Sequence, residues 1–240
     1  MTDGRLLFAR YAFMPNRLGY CGGNENKALL DYCVDGAADR GLELLERQFQ
    51  AAFPYLEFIA HCNGLANAFD PRVVEAYWLG NGLLGRVDMR DFHQYLADRV
   101  GPKLSKKSAE LVLGKAPVGA RPHHSFHVLD VSVRTGALRE SIDDLDHCRI
   151  SWGEVVRAEG DELVVSRPPL ELAGNGWALG GPREGIVRYR VDGRGYLTEP
   201  EPGTLVSMHW DWACDVITPQ QARRLERETR YHIALANQTR

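Results

Sequence analysis

The amino-acid sequence predicts an α+β protein in which a mainly helical N-terminal part precedes a small β-barrel and a closing C-terminal helix. Three observations lead to this prediction. Through much of the first hundred residues, apolar side chains recur at the three- and four-residue spacing of a buried helix face. From Cys148 onward, short β-branched stretches alternate with turns that contain glycine or proline. The stretch from Thr218 begins with the signature of a helix N-terminus.

The N-terminal part carries the pattern of several helices separated by turns. Residues 27–52 and 55–68 combine good helix formers with apolar side chains at helical spacing. Asp70, followed by Pro71, predicts the N-cap of another helix, because proline is favoured at the first helical position. Asp88 predicts the N-cap of the next one.

The chain changes character after a turn-rich connector, residues 114–121. The segments that follow are rich in β-branched and aromatic side chains, which favour strands. The predicted strands are residues 125–133, 150–157, 162–166, 185–191 and 205–208. We therefore place a domain boundary near residue 145. Residues 1–145 form a helical domain to which the sequence assigns no role, and residues 146–240 form the barrel with its helix.

The last predicted helix has the clearest boundaries in the chain. Thr218 and Gln221 have the spacing of a capping box, with Pro219 at the first helical position. Leu225 and Ile233 lie on the apolar face of this helix, and we expect them to pack onto the barrel.

Composition excludes several classes of function. The formal net charge is −3 and no basic patch is present, which argues against a nucleic-acid or membrane-surface partner. No segment approaches the run of about 18–20 apolar residues that spans a bilayer, and the first residues lack the pattern of a signal peptide. The five cysteines are odd in number and form no C-x-x-C pair, so we expect reduced thiols and a cytoplasmic protein.

Two segments of the second half carry the residues of most chemical interest. In the first, Cys148 is followed by three residues, then Trp152 and Gly153, a hydrophobic strand and a hairpin. In the second, a predicted strand leads to His209, and an apolar stretch with Trp210 and Trp212 separates it from the last helix.

Residues 147–238 resemble the HypC/HupF chaperones of [NiFe]-hydrogenase maturation. Those chaperones begin with a cysteine, three residues, Pro-Gly, a strand and a hairpin, and later have a strand, a histidine and a helix. This sequence differs in having Trp152 in place of the proline, in having Cys148 far from the N-terminus, and in the bulky Trp210-Asp211 pair after the histidine.

The resemblance implies an OB-like barrel that carries an iron dicyanide–carbonyl fragment, the precursor of the hydrogenase active site. It implies Cys148 and His209 as the iron ligands, and the hydrogenase large subunit or a maturation scaffold protein as the partner. Thiolate and imidazole suit Fe(II) independently of the family name. Trp210, Trp212 and Trp152 are the expected apolar surroundings of the metal, since such surroundings keep water away.

Two further sets of residues are secondary metal-ligand candidates. His123, His124 and His127 lie within five residues, and on the predicted strand His123 and His127 share one face. The alternative to metal binding is that these histidines form an exposed strand edge or a hydrogen-bonded core pair. Cys21 lies in a segment rich in aromatic residues, arginine and glycine, for which the alternative role is to anchor the chain start on the helices.

The leading hypothesis is therefore a metal carrier rather than an enzyme. Common catalytic motifs are absent, among them a P-loop, a G-x-S-x-G elbow and an H-E-x-x-H helix. The alternatives are a metalloenzyme that acts on or supplies a small diatomic ligand, and a non-catalytic interaction module. Convergence of Cys148 with His209 favours the carrier, and a histidine cluster in the same place favours the enzyme. Absence of any convergence favours the interaction module.

Overall fold

The computed structural model describes residues 2–139 and 141–239. Helices come first and a small barrel follows, so the α+β prediction is confirmed. The main helices are α1 (Gly4–Arg17), α2 (Asn26–Asp35), α3 (Arg40–Glu46), α4 (Phe53–Cys62), α5 (Pro71–Trp78), α6 (Met89–Arg99), α7 (Lys106–Leu113), α8 (His124–Phe126), α9 (Val133–Thr135), α10 (Ile142–Cys148) and α11 (Pro219–Asn237). The strands are β1 (Ser151–Glu159), β2 (Glu162–Arg167), β3 (Leu170–Ala173), β4 (Gly176–Leu179), β5 (Arg183–Arg188), β6 (Leu205–His209) and β7 (Trp212–Val216).

The caps of the N-terminal helices follow the sequence signals. Asp70 and Asp88 each accept a hydrogen bond from the backbone two residues later and begin α5 and α6 as predicted. The helix predicted over residues 27–52 is divided. Gly36 ends α2 in the left-handed conformation (φ 64°), and Asp39 caps α3. The helix predicted over 55–68 is shorter than expected, since α4 ends at Cys62.

Helix α1 lies at the centre of the molecule and contacts both the helical part and the barrel strands β6 and β7. Its aromatic side chains are fully buried. Tyr11 stacks on Trp78 of α5 with ring centroids 5.4 Å apart, and Phe13 meets Trp212 of β7 edge-on at 5.0 Å. One apolar core therefore draws side chains from both sides of residue 145. The division into domains at that residue stays a prediction.

The barrel has the strand order β1-β2-β5-β7-β6, with β6 antiparallel to β1. Contact between β5 and β7 is limited to one parallel pair, Arg188 and Trp212, so the ring is joined only narrowly at this seam. This is the order of the five-stranded, partly open Greek-key barrel of OB-folds, as the sequence predicted. The β3–β4 hairpin and β7 were not predicted.

The strand predicted over residues 125–133 is wrong. This segment is helical, with a π-helix, His127–Ser132, between α8 and α9. Most of its side chains are buried, and the buried ones include Val128, Leu129 and Val131. Apolar and β-branched residues therefore occupy several faces of the helix. Burial by the surrounding elements outweighs the strand preference of such residues.

Helix α11 begins as predicted, with both capping-box hydrogen bonds formed between Thr218 and Gln221. Leu225 is fully buried in the large core. Ile233 instead packs with Leu129 and with Trp177 of the β3–β4 hairpin. Within the described ranges, no helix is long and apolar enough to cross a bilayer.

We expect Thr218→Ala to lower the free energy of unfolding by about 1 kcal/mol, because it removes the cap of α11. Urea denaturation measures the change. Gln220→Ala is the matched control, since Gln220 is exposed in the same helical turn. It should change stability by less than about 0.5 kcal/mol. An equal loss in both variants would show that the cap contributes nothing specific.

Candidate metal centre

Three side chains from distant parts of the chain converge in the interior. One ligand atom each of His124, Cys148 and His209 lies within 4.8 Å of the others. His124 begins α8, Cys148 ends α10 and His209 ends β6. The predicted convergence of Cys148 and His209 is therefore present. Cys148 lies at the end of a helix, and the site is internal.

His209 is held with one ring nitrogen free. Its Nδ1–H donates to the carbonyl oxygen of Tyr11 at 2.7 Å, and Nε2 is buried without a hydrogen-bond partner among the described residues. A hydrogen bond at Nδ1 fixes the tautomer that leaves the Nε2 lone pair available for a metal. The residue four positions after Tyr11 is Pro15, which lies inside α1 and has no N–H. Proline thus removes the helical donor for the carbonyl that orients His209.

His124 makes hydrogen bonds through both ring nitrogens. Nε2 lies 2.9 Å from the carbonyl oxygen of Cys148, so this nitrogen carries the proton. Nδ1 then accepts from the hydroxyl of Tyr77 at 3.2 Å. A metal ion at either nitrogen would replace one of these bonds. The longer bond, to Tyr77, is the weaker of the two.

Burial keeps the histidines neutral. It lowers the pKa of His209 to about 4, although the backbone groups of Tyr11 and Cys148 near the ring act in the opposite direction. Burial also lowers the pKa of His124 far below its usual value, and the neighbouring His209 and His127 lower it further. Neutral imidazole is the form that binds metals. Burial raises the pKa of the Cys148 thiol, and Cys21 raises it further while Trp210 acts in the opposite direction. A bound cation would favour the thiolate.

The three side chains line a cavity of about 100 Å³. A water molecule needs roughly 10–15 Å³ of such volume, so a metal ion here has room for several small ligands. Much of the wall is apolar, with Ala12, Phe49 and Trp78 among its residues. Cys21, a secondary candidate, also lines the cavity, and burial raises its pKa to about 12.

The three histidines of residues 123–127 point in directions other than those predicted, because this segment is helical and not a strand. His124 and His127 are one turn apart, both line the cavity, and their rings are 6.1 Å apart. His123 points elsewhere: its Nδ1 lies 2.7 Å from the hydroxyl of Ser125, and its ring stacks on His232. The expected pairing of His123 with His127 is therefore wrong.

Of the three predicted tryptophans, only Trp210 lines the cavity. Trp210 and Asp211 form the tight turn between β6 and β7, and both have a φ of 53°. A bulky residue with a positive φ has a strained backbone, and residues with strained backbones are concentrated at functional sites. The indole stacks on Tyr20 with centroids 3.9 Å apart.

Trp212 and Trp152 lie outside the cavity lining. The Trp212 indole donates to the hydroxyl of Tyr196 at 2.7 Å, and the guanidinium of Arg149 lies 5.8 Å from the Trp152 ring. The lining residues that were missed include Tyr77, Trp78 and Pro15. Tyr77 and Trp78 resemble ordinary residues of an apolar helix face, and Pro15 was treated as part of an anchoring segment.

The comparisons with known proteins identify a family. Residues 1–240 match a family described as a family of unknown function, DUF6390. The chain belongs to this family. No curated protein and no solved structure matches the chain significantly. The resemblance of this DUF6390 protein to the HypC/HupF chaperones stays a prediction.

We expect Cys148→Ala to leave the fold of this DUF6390 protein largely intact, at a cost of about 1 kcal/mol or less, because the thiol borders a cavity. Cys33→Ala removes a sulfur packed in the core, where Cys33 is 4% exposed, and should cost more. Urea denaturation of both variants measures the difference. A larger loss for Cys148→Ala would identify its thiol as a packing group.

Proposed function

We propose that this protein is a metal-binding accessory protein that holds iron, or iron with cyanide and carbonyl ligands, through Cys148 and His209. His124 is a third donor. The observation that carries the proposal is the buried Nε2 of His209, which has no hydrogen-bond partner in the described part of the chain and shares a cavity with a thiol. A mixed sulfur and nitrogen donor set suits Fe(II) among the transition metals.

The shape of the site suits a carried metal that arrives with other ligands. Two or three protein donors leave positions free in an octahedral coordination sphere, and the cavity has space beside them. The apolar wall limits the access of water to such an ion. The resemblance of residues 147–238 to the HypC/HupF chaperones supports a role in [NiFe]-hydrogenase maturation. The hydrogenase large subunit or a maturation scaffold protein would then be the partner, in the reducing cytoplasm.

A second candidate is a metalloenzyme that acts on or supplies a small diatomic ligand. The specific observation in its favour is that His124 and His127, as well as His209, line one cavity. His127 Nδ1 has no hydrogen-bond partner among the described residues, which leaves it free to act on a ligand of the metal. Convergence of the ligand candidates favours both metal-binding hypotheses over an interaction module without metal.

Anaerobically purified protein should bind Fe(II), as measured by elemental analysis and titration. Cys148→Ala and His209→Ala should each weaken binding at least about tenfold, because loss even of an outer partner costs about 10–100-fold. Cys62→Ala and His61→Ala are matched controls, a half-buried thiol and an exposed imidazole that do not line the cavity. They should bind iron as the natural protein does.

Infrared spectroscopy of the same samples separates the two candidates. Bands of bound cyanide and carbonyl that disappear in Cys148→Ala support the carrier. Bound metal without those bands, together with turnover of a diatomic ligand, supports the enzyme. Failure of the natural protein to bind Fe(II) would refute both.

In cells that make a [NiFe]-hydrogenase, we expect Cys148→Ala to abolish maturation while the protein stays folded. Hydrogenase activity in extracts, with Cys62→Ala as the control, measures this effect. Full maturation with the alanine variant would rule out the assigned role of Cys148.

A further inference from the structure

A large open cleft lies beside the metal cavity. Its volume is about 710 Å³, within the range of roughly 300–1,000 Å³ typical of ligand sites. The cleft and the cavity share three lining residues, Ala51, His127 and Ala137. A molecule in the cleft therefore lies against the wall of the metal cavity.

The cleft is basic although the protein as a whole is acidic. Among the described residues, the lining has one carboxylate, that of Glu57, and three cations, those of Arg47, Arg99 and Lys103. The chain as a whole carries a net charge of −3. Arg47 is paired with the carboxylate of Glu43 at 2.7 Å. Arg99 and Lys103 form no ion pair within the described part of the chain. Two uncompensated cations at one opening favour an anionic ligand.

Aromatic rings form the apolar side of the cleft. The lining includes the rings of Phe53, Tyr55 and Tyr95. The ring of Tyr95 stacks on that of Phe58 with centroids 4.6 Å apart, which fixes its position. Rigid aromatic surfaces bury a large apolar area and stack with ligand rings.

Two polar atoms of the lining lack a hydrogen-bond partner among the described residues. They are the hydroxyl of Tyr55, a side chain that is only 2% exposed, and Nδ1 of His127. The two rings meet edge-on, 5.6 Å apart. Buried polar groups usually form hydrogen bonds. Two such groups without a partner at one cleft are therefore a further indication that the cleft binds a ligand.

We propose that this cleft binds a small organic anion, with an aromatic or similarly apolar body and a carboxylate or phosphate group. Arg99 and Lys103 hold the anionic group, and the aromatic wall holds the body. Anion binding does not depend on the metal. His127 lines both the cleft and the metal cavity, so the anion could act on the bound metal through it. Only that second step rests on the proposed function.

The test uses metal-free, full-length protein and calorimetric titration. Phenyl phosphate and phthalate are the anionic probes, one for each acid group, and benzyl alcohol is the neutral probe. We expect at least one anion to bind more tightly than benzyl alcohol. Arg99→Gln and Lys103→Gln should each weaken that anion about two- to fivefold, the range of a partly exposed ion pair.

Arg90→Gln and Lys106→Gln are the matched controls, since these cations are exposed and lie outside the cleft lining. They should bind the anion as the natural protein does. Equal affinity for anion and alcohol, or equal effects of cleft and control variants, would overturn the proposal. Tighter binding of a hexaglutamate peptide than of both small anions would also overturn it.

The variant Cys148→Ala distinguishes this proposal from the metal site. It should keep its affinity for the anion while losing iron. Loss of anion binding in Cys148→Ala with its fold intact would contradict a site that is independent of the metal ligands. Iron binding without anion binding in the natural protein would remove only the present inference.

Discussion

The carbonyl oxygen of Tyr11 is the atom on which the candidate site most depends. Pro15 supplies no N–H to it, and His209 donates to it instead. The same tyrosine stacks on Trp78, and its hydroxyl lies 2.7 Å from that of Ser207 on β6. A single buried residue thus fixes α1 against α5 and β6 and sets the orientation of the imidazole. Because Pro15 leaves this carbonyl oxygen of α1 without a helical donor, the oxygen can accept a hydrogen bond from His209 on the barrel strand β6.

Burial decides the charge state of this site. Imidazoles and a thiol are neutral in the interior, and neutral groups cost far less to bury than ions. A divalent cation would change that balance, because a thiolate formed beside it compensates part of its charge. Anionic ligands on the metal, such as the cyanides of the proposed cargo, compensate more. The apolar wall favours neutral side chains and would therefore suit a metal that arrives with its own anions.

Local signals predicted those parts of the fold that depend on local chemistry. The capping box at Thr218 and the caps of α5 and α6 lie where expected, because a cap bonds only to its own first turn. The segment of residues 125–133 was mistaken for a strand, since its surroundings bury several faces of a helix. That error also misassigned His123 and His124, whose directions depend on the helical period. The convergence of Cys148 and His209 was predicted, whereas the role of Tyr11 requires contacts that no sequence window contains.

In the proposed function the protein must both hold its metal and release it, and the side chains that cover the cavity suit both requirements. Tyr20 is 49% exposed and stacks on Trp210, so the pair lies between the cavity and solvent. Gly19 and Gly22, with φ of 79° and 80°, flank Tyr20 and Cys21 in a turn that other residues would adopt only with strain. Trp210 itself has a φ of 53°, in the left-handed region that a bulky residue adopts only with strain. In the proposed carrier, displacement of either ring would open the cavity on this side, whereas the basic cleft borders the cavity at His127.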